Sequence, residues 1–209
     1  MLYYDAPNPA PNPRRVRIAM SEKGITLPTQ NVSIIGGEHK APDFVAKYAP
    51  GQVPVLELDD GTMLGESVSI CRYLEALHPQ VPLFGVGAQE IAVVDMMIRR
   101  VEFTLMNPIG MVWAHTHPFT ARVVIPQYTE FGESNRPRAI NAMRALDALL
   151  SARAANGHDW LASDTYSMAD IVLLTTIDFA TFIGLAMPDD VPALSAWHAR
   201  ATARPSAAV

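Results

Sequence analysis

The chain has 209 residues, of which 49% are hydrophobic and 18% are charged, so it can bury a core and is not a disordered chain. Its net charge is −5, from 16 basic and 21 acidic residues, and neither half is basic, so we expect no nucleic-acid partner. A single cysteine excludes an intrachain disulfide and suits a reducing compartment. Without a signal-peptide pattern or an apolar run of membrane-spanning length, the sequence predicts a cytoplasmic protein with no membrane partner.

The first part of the chain alternates strand and helix signals. Leu2–Tyr4 reads as a strand, and a helix is expected to begin after Asn12 as its N-cap, with Pro13 at its first position and Gly24 at its end. Gln30–Ile35 reads as a second strand. A strand, a helix and a strand within so few residues predict a parallel pair with a right-handed crossover.

The next forty residues predict a short helix, a hairpin and a longer helix. The short helix covers residues 42–48, and the hairpin strands, residues 53–58 and 62–64, flank an Asp-Asp-Gly turn. Pro54 must lie at the edge or the beginning of its strand, because it cannot donate a ladder hydrogen bond. Ser67 is expected to cap the longer helix, which ends at His78-Pro79 and turns four apolar residues to one face: Ile70, Cys71, Leu74 and Leu77.

Beyond residue 82 every signal is helical. The first predicted helix has apolar positions at residues 91, 94, 98, 101 and 105 and ends at Asn107-Pro108. The second covers residues 139–153, with residues 140, 143, 146 and 150 inward. Two more are predicted, one from Ser167 to about Ile183 and one over residues 191–203. Ser167 and Asp170 form a capping-box pattern, and the helix that follows is apolar enough to be central. The element order is therefore βαβαββα followed by an all-α region.

Three clusters of polar residues could carry chemistry. Arg14, Arg15 and Arg17 lie where a helix begins and oppose its dipole, which indicates anion binding or, equally, three solvated side chains beside an ordinary cap. Glu66-Ser67 could hold an amino group and a carboxylate, or could simply cap the helix. His39-Lys40 could neutralise a second carboxylate, or be a solvated loop.

The single cysteine and one pair of histidines are also candidates, but their positions favour neither a reactive thiol nor a metal centre. Cys71 falls on the apolar face of a helix and is interpreted as a core residue rather than a nucleophile. His115 and His117 are two residues apart with no third ligand at a recognisable spacing, so we expect no metal. A binding-pocket histidine is the better interpretation for that aromatic segment. The lack of a CxxC pair disfavours dithiol redox chemistry.

The chain resembles the cytosolic glutathione transferases through an ordered set of short segments. These are PNPRRVRI over residues 11–18 with EKG over 22–24, GGEHK over 36–40, GQVPVLEL over 51–58, GES over 65–67, SMADI over 167–171 and RPS over 204–206. The resemblance implies a thioredoxin-like α/β domain over residues 1–80, a linker over 81–87 and an all-helical domain over 88–209. It also implies a homodimer.

The same resemblance implies which residues bind glutathione. Pro54 becomes a cis-proline, Val53 pairs its backbone with the cysteinyl part, and Glu66 and Ser67 hold the γ-glutamyl end. The glycine carboxylate is expected to face Lys40, with Gln52 or His39 nearby. Glutathione then serves as a co-substrate, without a metal.

The sequence departs from the family at the group that activates the thiol. Ala10 stands where many relatives carry a hydroxyl or thiol, and residues 6–13 include no Ser, Thr, Tyr or Cys. Tyr3 and Tyr4, inside the first strand, are less suitably placed. We expect Asn12 to favour the thiolate, through its side-chain amide or the helix N-terminus. The alternative is a water held by His115 or His117.

The resemblance therefore predicts a glutathione transferase with a detoxifying role, whose bound thiolate attacks a small hydrophobic electrophile between the domains. One alternative is a glutathione-dependent peroxidase, disulfide reductase or isomerase on the same fold. Another is a noncatalytic glutathione-binding or interaction module. The predicted electrophile pocket consists of Met111, Trp113, His117, Phe119 and Tyr128.

Overall fold

The computed structural model describes all 209 residues, which divide into two compact units. The first consists of Met1–Leu83 and Pro205–Val209, and the second of Phe84–Arg204. The sequence-based division placed the last five residues in the helical domain. They belong instead to the first unit, where Ala207 O accepts a hydrogen bond from Arg14 Nη2 at 2.9 Å and the Ser206 hydroxyl bonds Glu22.

The first unit is a mixed four-stranded sheet in the order β2-β1-β3-β4. Its strands are β1 (Leu2–Asp5), β2 (Thr29–Asn31), β3 (Val55–Glu57) and β4 (Met63–Leu64), and its helices are α1 (Pro11–Lys23), α2 (Pro42–Lys47) and α3 (Ser67–Leu77). β1 runs parallel to β2 and antiparallel to β3, and β3 is antiparallel to β4. The predicted order βαβαββα is confirmed.

The two faces of this sheet are buried by different helices. Tyr4 and Val55, which are paired across β1 and β3, pack with Val32 and with Phe44 of α2. α1 and α3 pack together, and Tyr3 donates a hydrogen bond to Pro13 O of α1 at 2.9 Å. Alternate residues of one strand therefore point into two separate layers, as the pleat requires.

Several predicted boundaries of the first unit were wrong in detail. β2 is shorter than expected, because a turn begins at Ile34, whose carbonyl accepts the Gly37 N–H at 3.1 Å. α3 ends before His78 as predicted, but Leu77 on its last turn is 47% exposed rather than inward. Gly24 does end α1, with the left-handed φ of 65° that glycine adopts without strain.

The second unit contains only helices and short 3-10 turns. The helices are α4 (Gly87–Val101), α5 (Asn107–Thr116), α6 (Thr129–Ser134), α7 (Arg136–Ala155), α8 (Met168–Phe182) and α9 (Pro192–Thr202). α8 is buried along nearly its whole length, as its apolar sequence predicts, whereas Ile140 of α7 is only half-buried. None of the nine helices of the chain combines the length and the apolar content needed to cross a bilayer.

The prediction that a helix ends at Asn107-Pro108 was wrong. α4 passes into a π-helical segment over Glu102–Met106, and α5 follows from Asn107 without a break. Asn107 N–H donates to Glu102 O, five residues back. The wider π turn lets the helix continue through Pro108, which has no N–H of its own to donate.

The capping box of α8 is confirmed and extends into a buried network. Both oxygens of the fully buried Asp170 carboxylate accept two hydrogen bonds: Oδ1 from Leu161 N and Trp197 Nε1, at 2.8 and 2.9 Å, and Oδ2 from Ser167 N and Oγ, at 3.0 and 2.8 Å. Burial raises the pKa of Asp170, and these hydrogen bonds act in the opposite direction. One side chain thus ties a loop, α8 and α9 together.

Asp170→Asn should therefore lower the free energy of unfolding by about 2–5 kcal/mol, because the amide nitrogen that replaces one carboxylate oxygen must face a main-chain N–H, from which it cannot accept a hydrogen bond. Urea unfolding followed by circular dichroism measures this change. Asp189→Asn, at an exposed residue with no hydrogen bond, is the matched control. A variant at residue 170 as stable as this control would contradict the structural role.

Candidate functional site

A pocket of about 370 Å³ opens in the first unit, a volume typical of small-molecule sites. Seven of its lining residues are among those singled out from the sequence, and two others, Ile34 and Tyr48, are not. The lining residues are Asn12, Ile34, His39, Tyr48, Gln52, Val53, Pro54, Glu66 and Ser67.

The strand directions explain why residues so distant in sequence share one pocket. β1, β2 and β4 all run opposite to β3, so their carboxyl ends lie at the same edge of the sheet as the amino end of β3. α1 follows β1, the loop containing His39 follows β2, and α3 follows β4. Val53-Pro54 leads into β3, and its peptide bond is cis, as the resemblance implied.

At the start of α1, a single residue offers free donors. The helix begins at Pro11 after Ala10, two residues earlier than expected, so Asn12 is its second residue and not the N-cap. Pro11 and Pro13 have no N–H, and Arg14 N–H donates to Ala10 O at 3.4 Å. The unpaired donors of this turn are therefore the main-chain N–H and the side-chain amide of the exposed Asn12.

At the start of α3, several main-chain donors are free. Ser67 is the first helical residue, not the side-chain cap that was expected, and the N–H groups of Ser67, Val68 and Ser69 have no acceptor in the chain. Glu66 precedes them with φ 61° and ψ 115°, a conformation that costs a non-glycine residue about 1–3 kcal/mol. Free donors and the helix dipole make this end a site for an anion.

A buried cation, Arg15, adds to the positive potential at the start of α3. Arg15 is 2% exposed, and its Nη1 donates to Ser67 Oγ at 3.4 Å. The other two arginines are not part of an anion-binding cluster, nor are they free in solvent: Arg14 bonds Ala207 O, and Arg17 pairs with Asp5 at 2.6 Å. The cluster predicted from the sequence therefore reduces to one arginine behind Ser67.

The rest of the pocket is polar and largely unpartnered. Val53 makes no main-chain hydrogen bond, so its N–H and carbonyl are free to pair with an extended ligand backbone. Nδ1 of His39 is shielded from solvent without a partner. Burial, and then the charge of Lys40, lower the pKa of His39 despite a hydrogen bond to the Ser33 backbone, and both effects favour the neutral imidazole. Polar groups left unpaired in a pocket indicate a polar ligand.

Three residues considered from the sequence lie outside this pocket. Lys40 does not line it, because its Nζ donates to Pro50 O at 3.0 Å. The Tyr3 hydroxyl is buried against Pro13 O, and its burial raises its pKa. Tyr4 donates to Glu57 at 2.6 Å on the other layer.

In the second unit, the aromatic residues around α5 form two groups rather than one pocket. Trp113 packs against His117 and stacks on Phe119, with ring centroids 4.2 and 5.8 Å apart, whereas the ring centroids of His115 and Tyr128 are 6.1 Å apart. Residues 113 and 115 project about 200° apart on a helix, which separates the groups. Met111 is half-buried one turn before His115.

Each group also has members that the sequence analysis missed. Phe179 and Phe182 of α8 contact Trp113, at 5.5 and 6.1 Å, and Phe131 of α6 contacts His115 at 5.4 Å. Nδ1 of His115 accepts the Tyr128 N–H. No three His, Cys, Asp or Glu side chains of the structure are grouped to hold a metal ion.

Comparison with known proteins agrees with this architecture. Residues 9–82 match the family described as "Glutathione S-transferase, N-terminal domain", and residues 112–205 match "Glutathione S-transferase, C-terminal domain". The chain belongs to the glutathione S-transferase family. Its fold, a thioredoxin-like domain with an all-helical domain, is that of the family.

Full-length relatives support the assignment. Glutathione S-transferase 2 of Saccharomyces cerevisiae is 38% identical over 209 residues, which are 99% of this chain and 87% of the relative. The crystal structure of Gtt2 from Saccharomyces cerevisiae has a TM-score of 0.89 at 37% identity and covers 99% of this chain and 98% of its own. A glutathione S-transferase domain-containing protein of Marinobacter aquaeolei has a TM-score of 0.90 at 37% identity, with 99% of each chain covered.

The fully buried Cys71 allows a test of the native fold. Burial raises the pKa of its thiol to about 12, so it should not react with a disulfide reagent at about pH 8 while the protein is folded. Thiol release measured by absorbance should be negligible in buffer and reach one equivalent per chain in denaturant. Rapid labelling of native protein would contradict the core assignment.

Proposed function

We propose that this member of the glutathione S-transferase family is a glutathione transferase that binds glutathione in the pocket of the first unit and lowers the pKa of its thiol. The observation that carries the proposal is the row of unpaired donors, at the starts of α1 and α3 and at Val53, around one polar pocket. The full-length relative named as a glutathione S-transferase supports the same activity.

The pocket offers a partner for each polar group of the tripeptide. The γ-glutamyl carboxylate fits the free N–H groups and the hydroxyl at the start of α3, and Glu66 is placed to accept from the ammonium. Val53 can pair with the cysteinyl main chain. His39 and Gln52 line the pocket and are better placed than Lys40 for the glycine carboxylate.

Activation of the thiol is assigned to Asn12. A thiol with a pKa near 8.5 is only a few per cent thiolate at pH 7, so a donor that favours the anion raises the reactive fraction. Asn12 supplies both an amide side chain and the one free N–H of the first turn of α1, where the helix dipole also favours negative charge.

The alternative activator is a water held by His115 or His117. In each imidazole Nδ1 accepts a main-chain N–H, so the neutral ring carries its proton on Nε2 and can donate from there. The aromatic groups around α5 favour a hydrophobic electrophile as the second substrate. A detoxifying role, a homodimer and a cytoplasmic location complete the proposal and rest on the family.

Glu66→Gln should weaken glutathione binding about tenfold, because it removes the charge that faces the ammonium. Isothermal titration calorimetry measures the Kd. Glu130→Gln, on the exposed face of α6, should bind as the wild type does. Wild-type protein that gives no saturable heat with glutathione would contradict the proposed function itself.

Asn12→Ala should raise the pKa of bound glutathione by about one unit, because the thiolate loses a hydrogen bond worth about 1.4 kcal/mol. Ultraviolet titration of the thiolate in saturated complexes measures this, with Asn31→Ala at an exposed position of β2 as the control. An unchanged pKa in Asn12→Ala, together with a raised one in His115→Ala, would instead favour the water-mediated alternative.

A further inference from the structure

Tyr48 lines the pocket with a hydroxyl group that the protein itself does not use. The residue follows α2, and its half-buried ring packs against the cluster of Tyr4, Val32, Phe44 and Val55. The residue lines the pocket, and its hydroxyl makes no hydrogen bond within the chain. The core therefore holds the ring in place while its polar end remains available to a ligand.

Gly65 makes room for this hydroxyl. A Cβ added to Gly65 would overlap the Tyr48 hydroxyl oxygen and lie 2.8 Å from Cζ, and the three nearest atoms all belong to the Tyr48 side chain. The φ of Gly65 is not in the left-handed region, so the backbone does not require glycine here. Glycine is required at this position by the tyrosine alone.

This contact places the hydroxyl beside the start of α3. Gly65 directly precedes Glu66 and Ser67, whose backbone leads into the unpaired N–H groups of that helix. A carboxylate has two oxygens and about four acceptor positions, so one oxygen can accept from the helix while the other accepts from a neighbouring hydroxyl.

We propose that Tyr48 is a further ligand-binding residue, whose hydroxyl donates a hydrogen bond to the carboxylate held at the start of α3. The inference rests on the proposed function, in which that carboxylate is the γ-glutamyl carboxylate of glutathione. Gly65 then contributes to ligand binding indirectly, because the side chain of any larger residue would displace the Tyr48 hydroxyl from this position.

Tyr48→Phe tests the hydroxyl alone, since the ring and its packing are kept. Calorimetric titration with glutathione should give a Kd about tenfold higher than that of the wild type, the loss expected for a hydrogen bond to a charged group. The control is Tyr73→Phe, which removes the hydroxyl of a tyrosine in α3 that forms no hydrogen bond, and its Kd for glutathione should equal that of the wild type. If Tyr48→Phe binds as tightly as the wild type, Tyr48 has only a packing role and the inference is wrong.

Gly65→Ala tests the same contact from the other side. It should weaken binding in the wild-type background and have little further effect in Tyr48→Ala, where no ring remains to be displaced. Gly110→Ala, where an added Cβ meets no atom within 4 Å, is the control, and thermal unfolding checks that each variant is folded. Equal effects of Gly65→Ala in both backgrounds would overturn the proposed coupling.

The dipeptide γ-glutamylcysteine identifies the carboxylate, because it keeps the γ-glutamyl carboxylate and lacks the glycine one. The loss caused by Tyr48→Phe should be the same with the dipeptide as with glutathione. A loss that disappears with the dipeptide would assign the hydroxyl to the glycine end and overturn the proposal. Wild-type protein that binds neither peptide would refute the proposed function, and the inference with it.

Discussion

Main-chain N–H groups that the fold leaves without acceptors are the feature on which the candidate site depends. β1, β2 and β4 run in one direction, and β3, which lies between β1 and β4, runs in the other. The segments that follow β1, β2 and β4 therefore meet the segment that precedes β3 at one edge of the sheet. Two of those segments are the first turns of α1 and α3. Because helix starts carry unpaired donors, this topology concentrates positive potential in one pocket.

Several features of the site lower the stability of the unliganded protein. Glu66 holds a strained positive φ, Arg15 is a buried cation and several pocket side chains have no partner in the chain. The strained φ and the unpaired polar groups cost free energy in the unliganded protein, and a ligand that carries acceptors and charge would give the unpaired groups partners. The core of α1, α3 and the sheet supplies the stability that permits them.

The second unit is organised differently, around a satisfied buried carboxylate. Asp170 accepts four hydrogen bonds, so its network is complete without any ligand. Five apolar aromatic side chains and two imidazoles pack around α5 and near the end of α8. The two units thus provide contrasting chemistry: unpaired polar groups in the first, aromatic surface in the second.

The element order and the capping box at Ser167 followed from the sequence alone, because hydrophobic periodicity and cap chemistry are local properties of the chain. The resemblance to a known family added Gln52, Val53 and Pro54 to the pocket residues that the polar clusters had already indicated. Local rules failed where a neighbour distant in sequence decides the outcome. They did not foresee that a π turn carries the helix past Pro108, that Arg14 holds the last residues of the chain, or that Tyr48 reaches Gly65. Those contacts join segments that only the folded sheet and helices bring together, so tertiary structure alone determined them.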